Sequence, residues 1–207
     1  MRSEYTDFIR ESEASSGLRD MTLANQLTLL RICLVPALVI LVVYGYFGWA
    51  LAVFFVAAVT DALDGLVARI RHERTHLGAI LDPVADKLLV TALLIVLALP
   101  NPELTVRIPP WIAILSIGRD AGILLAVLVF HLAGANRSFP PSFLGKATTV
   151  AHLVTILWIL ACNYLGQDHP LTQVFLGVTV VLVLVSAMHY LYLGQQVVAQ
   201  ETEKERG

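Results

Sequence analysis

Six stretches of the chain, 27–47, 49–69, 77–99, 109–132, 144–165 and 171–193, are dominated by apolar residues, and each has the length of about 20 residues that a helix needs to cross a bilayer. The pattern predicts an all-α membrane protein, a six-transmembrane-helix bundle whose short connections favour antiparallel neighbours. Basic residues fall on alternate connections. Arg2, Arg10, Arg19 and Arg31 flank the first stretch, Arg71 and Arg74 follow the second, Arg137 and Lys146 surround the fourth-to-fifth connection, and Lys204 and Arg206 close the chain. The other connections, around 45–48, 101–108 and 166–170, hold only Arg107. Lys and Arg near span ends concentrate on the cytoplasmic side, so both termini are expected there, as an even number of spans requires.

Residues 1–26 mix Tyr5, Phe8, Ile9, Leu18, Met21 and Leu23 with charges. An N-terminal amphipathic interfacial helix lying at the headgroup boundary fits that mixture, and so does a partly disordered tail. The expected organisation is therefore an interfacial segment over 1–26, the six-span domain over 27–193 and a cytoplasmic tail over 194–207. No secretory leader is visible in the first twenty residues, and the first span is expected to be retained.

Composition sharpens this picture. The chain is 57% hydrophobic and 14% charged, with a mean hydropathy of +0.74, against roughly 45–50% and about 25% for soluble domains. A net charge of −2 gives no reason to expect a nucleic-acid partner. Cys33 and Cys162 fall inside apolar stretches without metal-ligand spacing, which argues against a disulfide or zinc site and for packing roles.

The exception to the apolar pattern is DALDGLVARIRHERTHLGAILDPVADK, residues 61–87. Asp61 and Asp64 are three apart and share a helix face with Gly65 and Ala68; Asp82 and Asp86 are four apart, with Gly78 one turn earlier. A single aspartate at the centre of a membrane helix costs about 2.5–3.5 kcal/mol to insert, so four uncompensated ones would cost roughly 10 kcal/mol. Divalent cations held by carboxylate oxygens offset such charge, and the small residues beside them leave room for a substrate. Individual aspartates can instead be caps or partners for arginines. Asp82 before Pro83 reads either as an N-cap ahead of a proline at the first helical position or as part of a helix that begins near residue 77 and carries Pro83 inside it.

The spacing Asp61-x2-Asp64-Gly65-x2-Ala68-Arg69-x8-Gly78-x3-Asp82-x3-Asp86 resembles the full signature of the CDP-alcohol phosphatidyltransferase family. ANQLTLLR, residues 24–31, is similar to that family's N-terminal element, with Ala24 where proline is usual. IPPWIAILSIGRD and PSFLGKATT resemble the fourth and fifth spans of its phosphatidylglycerophosphate synthase branch. The resemblance implies a six-span homodimer with a cytoplasm-facing cavity and a two-metal site, usually Mg²⁺ or Mn²⁺. Such an enzyme transfers the phosphatidyl group of CDP-diacylglycerol to an alcohol acceptor and releases CMP. Carried over by position, Asp61, Asp64, Asp82 and Asp86 would be metal ligands and Asp86 also the general base. Gly65, Ala68 and Gly78 would admit the cytidine nucleotide, and Asn25, Thr28 and Arg69 would contact the CDP-lipid.

On the acceptor side, Arg119 lies deep in the fourth stretch and Lys146 near the start of the fifth. Each cation needs an anion, and the phosphate of glycerol 3-phosphate would serve both. Pairing of Arg119 with a protein carboxylate or carbonyl and snorkelling of Lys146 to the interface are the alternatives. Asp120 and SAMHYLYLG near the end have a flavour of the related cardiolipin synthases, whose acceptor is phosphatidylglycerol. His152 and His189 are expected to be hydrogen-bonded packing residues, and Trp49, Trp111 and Tyr192 interfacial anchors. Two other classes compete. An intramembrane prenyltransferase normally carries its Asp-rich motifs far apart in sequence, and a divalent-cation transporter leaves Gly65, Ala68, Arg69 and Gly78 without a role.

Overall fold

The computed structural model describes the backbone of residues 23–71, 76–132 and 143–206, and the side chains of 29–60, 87–125, 143–192 and 195. These residues form six α-helices and no strand: α1 Leu23–Val43, α2 Phe47–Arg71, α3 His76–Ala98, α4 Pro110–Leu132, α5 Phe143–Leu165 and α6 Leu171–Arg206. Residues 1–22 of the expected interfacial segment over 1–26, the turn at 72–75 and the connection containing Arg137 lie outside the described residues, while residues 23–26 already belong to α1. The helices coincide with the six apolar stretches to within a few residues. The difference is at the end of the chain, where α6 runs as one helix past Leu193 to Arg206, so the expected tail is helical in backbone.

The chain turns sharply where glycine allows it. Beyond α1, Gly45 takes a φ of 74°; Gly45 N–H donates to the Val42 carbonyl at 3.2 Å and Tyr46 N–H to the Leu41 carbonyl at 2.8 Å. This paired pattern is a Schellman motif, and its left-handed residue has no Cβ to strain it. Gly166 repeats the device after α5 with a φ of 64°, and Gly166 and Gln167 N–H donate to the Asn163 and Cys162 carbonyls. α1 also contains Pro36, which removes one N–H from the ladder and is tolerated where neighbouring helices pack around it.

Side chains bind the connections at this end of the bundle together. Asn101 Nδ2 donates to the Val42 and Val43 carbonyls at the end of α1. Buried Asn163 on α5 accepts from Thr105 and Val106 N–H at 2.8 and 3.0 Å, and donates to the Val106 carbonyl at 2.9 Å. Leu104, Val106 and Ile108 are thereby held in the core. Connections 44–46, 99–109 and 166–170 thus gather at one end. The aspartate-bearing C-terminal part of α2 and N-terminal part of α3 run toward the other.

The core centres on Leu38 and Val42 of α1, Phe47, Ala50 and Phe54 of α2, Leu89, Leu93 and Leu97 of α3, and Ile156, Ile159 and Leu160 of α5. α1 packs on both α2 and α3, α2 on α5, α5 on α6, and α4 on α3 and α6. Along their described lengths α2 and α3 are therefore joined through α1 and α5, while the hairpin ends expected to bring the aspartates together lie outside the described side chains.

α6 has inverted polarity. Thr172, Leu176, Thr179, Val183 and Ser186, spaced by alternate steps of four and three, are buried, whereas Val174, Val178, Val181, Leu184, Val185, Met188 and Leu191 are exposed. The buried hydroxyls find partners on α5 or its neighbour: Thr155 and Thr179 share a hydrogen bond of 2.8 Å, and Thr148 donates to the Leu144 and Leu182 carbonyls. Polar residues inside and valines outside are the arrangement of a helix surrounded by hydrocarbon rather than water. Among the described residues Phe143–Leu165 and Leu171–Tyr192 are long and apolar enough to cross a membrane. Trp49, Trp111 and Tyr192 are exposed; Cys162 is buried and Cys33 exposed, so the packing expectation holds only for the former.

Asn163→Ala removes the acceptor for two N–H groups and the donor to one carbonyl in a partly buried connection. The expected loss of stability is about 2–3 kcal/mol, read as a lower unfolding midpoint in detergent; an unchanged midpoint would mean that other contacts hold the connection.

Candidate active site

α2 is helical without interruption through Asp61, Asp64, Gly65, Ala68 and Arg69, and α3 through Gly78, Asp82 and Asp86. The helical spacing read from the sequence therefore applies, and each carboxylate pair has one helix face. Because α3 begins at His76, Pro83 sits inside the helix and Asp82 is not its N-cap. Asn25 and Thr28 occupy the first turns of α1. The side chains of all these residues lie outside the described set.

The described part of the site begins one residue later. Lys87, next to Asp86 on α3, places Nζ 2.7 Å from Asp120 Oδ2 on α4. The other oxygen of Asp120 lies 2.5 Å from Arg119 Nη1. The Arg119 side chain is buried, only 6% exposed. Its Nη2 donates to the Ser186 hydroxyl of α6, and its guanidinium carbon stands 5.6 Å from the centre of the Tyr190 ring. Ser186 and Tyr190 are four apart on the buried stripe of α6, so one helix face supplies both a hydroxyl and a π-surface to the cation.

Among the described residues two cations thus share one carboxylate, the buried Arg119 and the half-exposed Lys87. Arg119 Nε is buried with no hydrogen-bond partner among the described residues. An unmatched buried donor on a guanidinium is costly, and an anion is the group that both the donor and the charge would accept. Beside this cluster, His152 Nε2 and Ser116 Oγ are 2.9 Å apart, joining α5 to α4. Both are buried, in keeping with the packing role expected for His152.

The structure brings Arg119 to a protein carboxylate, one of the partners that the sequence left open beside a carbonyl and the acceptor's phosphate. Lys146 is exposed on the second turn of α5, and no contact joins it to Arg119 among the described residues. Sequence reasoning missed Lys87, Ser186 and Tyr190. The signals existed: a lysine within the apolar run that follows Asp86, and two polar residues one turn apart in the last stretch.

The family model for CDP-alcohol phosphatidyltransferases matches residues 21–187. A protein of Salmonella choleraesuis named CDP-diacylglycerol--glycerol-3-phosphate 3-phosphatidyltransferase is 35% identical over 171 residues, covering 80% of this chain and 90% of its own. A Mycobacterium tuberculosis protein named "Probable phosphatidylglycerophosphate synthase" is 33% identical over 182 residues, covering 83% and 81%. Another from the same organism, named "Putative cardiolipin synthase", is 32% identical over 154 residues, covering 74% and 69%.

Ser186→Ala deprives Arg119 of a second hydrogen-bond partner. Hydrogen bonds to charged groups contribute about 1.5–3 kcal/mol, so a destabilisation of that order is expected in detergent unfolding, with Ser186→Thr closer to wild type. Equal midpoints for Ser186→Ala and wild type would remove this bond from the site.

Proposed function

The chain belongs to the CDP-alcohol phosphatidyltransferase family and is a transferase, and on that premise we propose that it moves the phosphatidyl group of CDP-diacylglycerol onto glycerol 3-phosphate, releasing CMP. The observation that carries this reading is the aspartate signature, lying on unbroken stretches of α2 and α3 within the matched region. The choice of acceptor draws support from the Salmonella and mycobacterial relatives named for glycerol 3-phosphate or phosphatidylglycerophosphate, and from the buried, incompletely satisfied Arg119. Phosphatidylglycerol is the second reading, favoured by the relative named as a cardiolipin synthase.

The family is membrane-associated, and all six helices are proposed to span. Two meet the criterion of length and apolarity outright; Leu29–Val43, Phe47–Thr60 and Lys87–Ala98 are the described apolar parts of three more helices, each 21 to 25 residues long. The gathering of the nearly Lys/Arg-free connections at one end supports a cytoplasmic location for the opposite end, with the aspartates and both termini.

The family is generally dependent on a divalent metal. Four carboxylates, in two pairs at helical spacing, are a hard-oxygen donor set that suits Mg²⁺ or Mn²⁺, and such ions would neutralise charge on the diphosphate and on departing CMP. Asp61, Asp64, Asp82 and Asp86 would hold them. Asp86 would take the proton of the acceptor hydroxyl. The hydroxyl oxygen then forms a bond to the phosphatidyl phosphorus, and the bond from that phosphorus to the bridging oxygen breaks, so that CMP leaves with that oxygen. Gly65, Ala68 and Gly78 would leave space for the nucleotide, with Asn25, Thr28 and Arg69 contacting the CDP-lipid. Arg119, assisted by Lys146, would receive the acceptor's phosphate.

Purified protein supplied with Mg²⁺ or Mn²⁺ is expected to release CMP from CDP-diacylglycerol when glycerol 3-phosphate is added, and to stop on addition of EDTA. Release only with phosphatidylglycerol would select the second acceptor, and no release across glycerol 3-phosphate, phosphatidylglycerol, serine and inositol phosphate would overturn the reading. Asp86→Asn is expected to lower turnover by about 10²-fold or more while CDP-diacylglycerol still binds; wild-type turnover in that variant would remove Asp86 from the mechanism.

A further inference from the structure

We infer that Asp120 and Lys87 are positioning residues for the acceptor, setting the Arg119 guanidinium at a fixed offset from the turn of α3 that carries Asp86. The inference rests on the transferase reading above and on the assignment of Arg119 to the acceptor's phosphate. Asp120 uses both carboxylate oxygens, one on Lys87 Nζ at 2.7 Å and one on Arg119 Nη1 at 2.5 Å. It therefore links α3 to the cation of α4 through two charge-assisted contacts. Lys87 is the residue after Asp86, and successive helical residues rise by about 1.5 Å. The bridge consequently fastens α3 within one residue of the proposed base.

An arginine needs such fastening. Its side chain carries about 2 kcal/mol of rotamer entropy, and a guanidinium held from one side only would sample several positions. Here it is held from three: Asp120, the Ser186 hydroxyl and the Tyr190 ring. Of these only Asp120 also reaches the helix of the aspartates. Ser186 and Tyr190 fix the cation relative to α6, whereas Asp120 fixes it relative to the reacting end of α3. Because Asp120 is shared with Lys87, it holds Arg119 through one oxygen only, and Arg119 Nε, which has no partner among the described residues, is left to face the acceptor.

A purely structural ion pair would lower stability when broken and would affect both substrates alike. A positioning pair acts on the acceptor selectively. Steady-state CMP release is measured for wild type, Asp120→Asn, Asp120→Glu, Lys87→Met and the double variant Lys87→Met/Asp120→Asn, varying glycerol 3-phosphate and CDP-diacylglycerol separately. The expected result for Asp120→Asn is a rise of about 10-fold in the acceptor KM with a lowered kcat, the scale on which partners that orient a site residue act, and a CDP-diacylglycerol KM within about twofold of wild type. Asp120→Glu should recover much of the loss. The double variant should be no worse than Asp120→Asn, since both changes break one bridge. Should Asp120→Asn not fold, Lys87→Met carries the test by itself, its lysine being half exposed, with an expected rise of about threefold or more in acceptor KM alone. An unchanged acceptor KM in active variants, an equal rise in both KM values, or additive losses in the double variant would overturn the inference and leave the transferase reading intact. Wild-type protein that releases no CMP with any acceptor would overturn that reading and this inference with it.

Discussion

A charge inside this bundle has to be matched by another group of the bundle, because the helices turn valine, leucine and methionine outward and keep their hydroxyls within. Arg119 shows the constraint most fully. Its guanidinium is buried, so α4 must lie where α6 can offer Ser186 and Tyr190, and where α3 can offer Lys87 to share Asp120. Three helices are placed by one cation and its carboxylate. The same demand acts on uncharged groups: Asn163 satisfies three backbone groups of a partly buried connection, and the hydroxyls of Thr148, Thr155 and Thr179 join α5 to α6.

The helices were legible in the sequence because a long apolar run is a signal that needs no knowledge of partners. The stretch read as 109–132 became Pro110–Leu132 and that read as 144–165 became Phe143–Leu165. What hydropathy does not encode is which helix packs on which. Along the described lengths α1 packs on both α2 and α3, and nothing in the period of its apolar residues specifies this; Leu38 and Val42 share one core with Phe54, Leu93 and Leu97. The end of α6 was missed for a related reason, since the polar residues beyond Leu193 lose the apolar signal while keeping helix-forming composition: Gln195, Gln196, Glu201 and Lys204 are good helix formers.

The site was legible in part. Aspartates within apolar helices stand out because they are costly to bury, and their spacing alone specifies a shared face. Arg119 stood out for the same reason, but its partners did not. Asp120 adjoins it in sequence, yet adjacent residues point about 100° apart on a helix, so only the fold shows that the arginine curls back to it while Lys87 approaches from another helix. The pairing changes the chemical picture: the cation proposed for the acceptor is held in place by protein groups, and its Nε has no partner among the described residues.

The proposed chemistry depends on carboxylates of two helices acting on one set of ions. Binding of Mn²⁺ by the purified protein, followed through loss of the free-ion electron paramagnetic resonance signal, tests that claim most directly when wild type is compared with Asp64→Asn on α2 and Asp82→Asn on α3. The expected result is saturable binding by wild type and a weakened or lost component in each variant. Mn²⁺ binding that is absent from wild type, or that neither substitution alters, would contradict it.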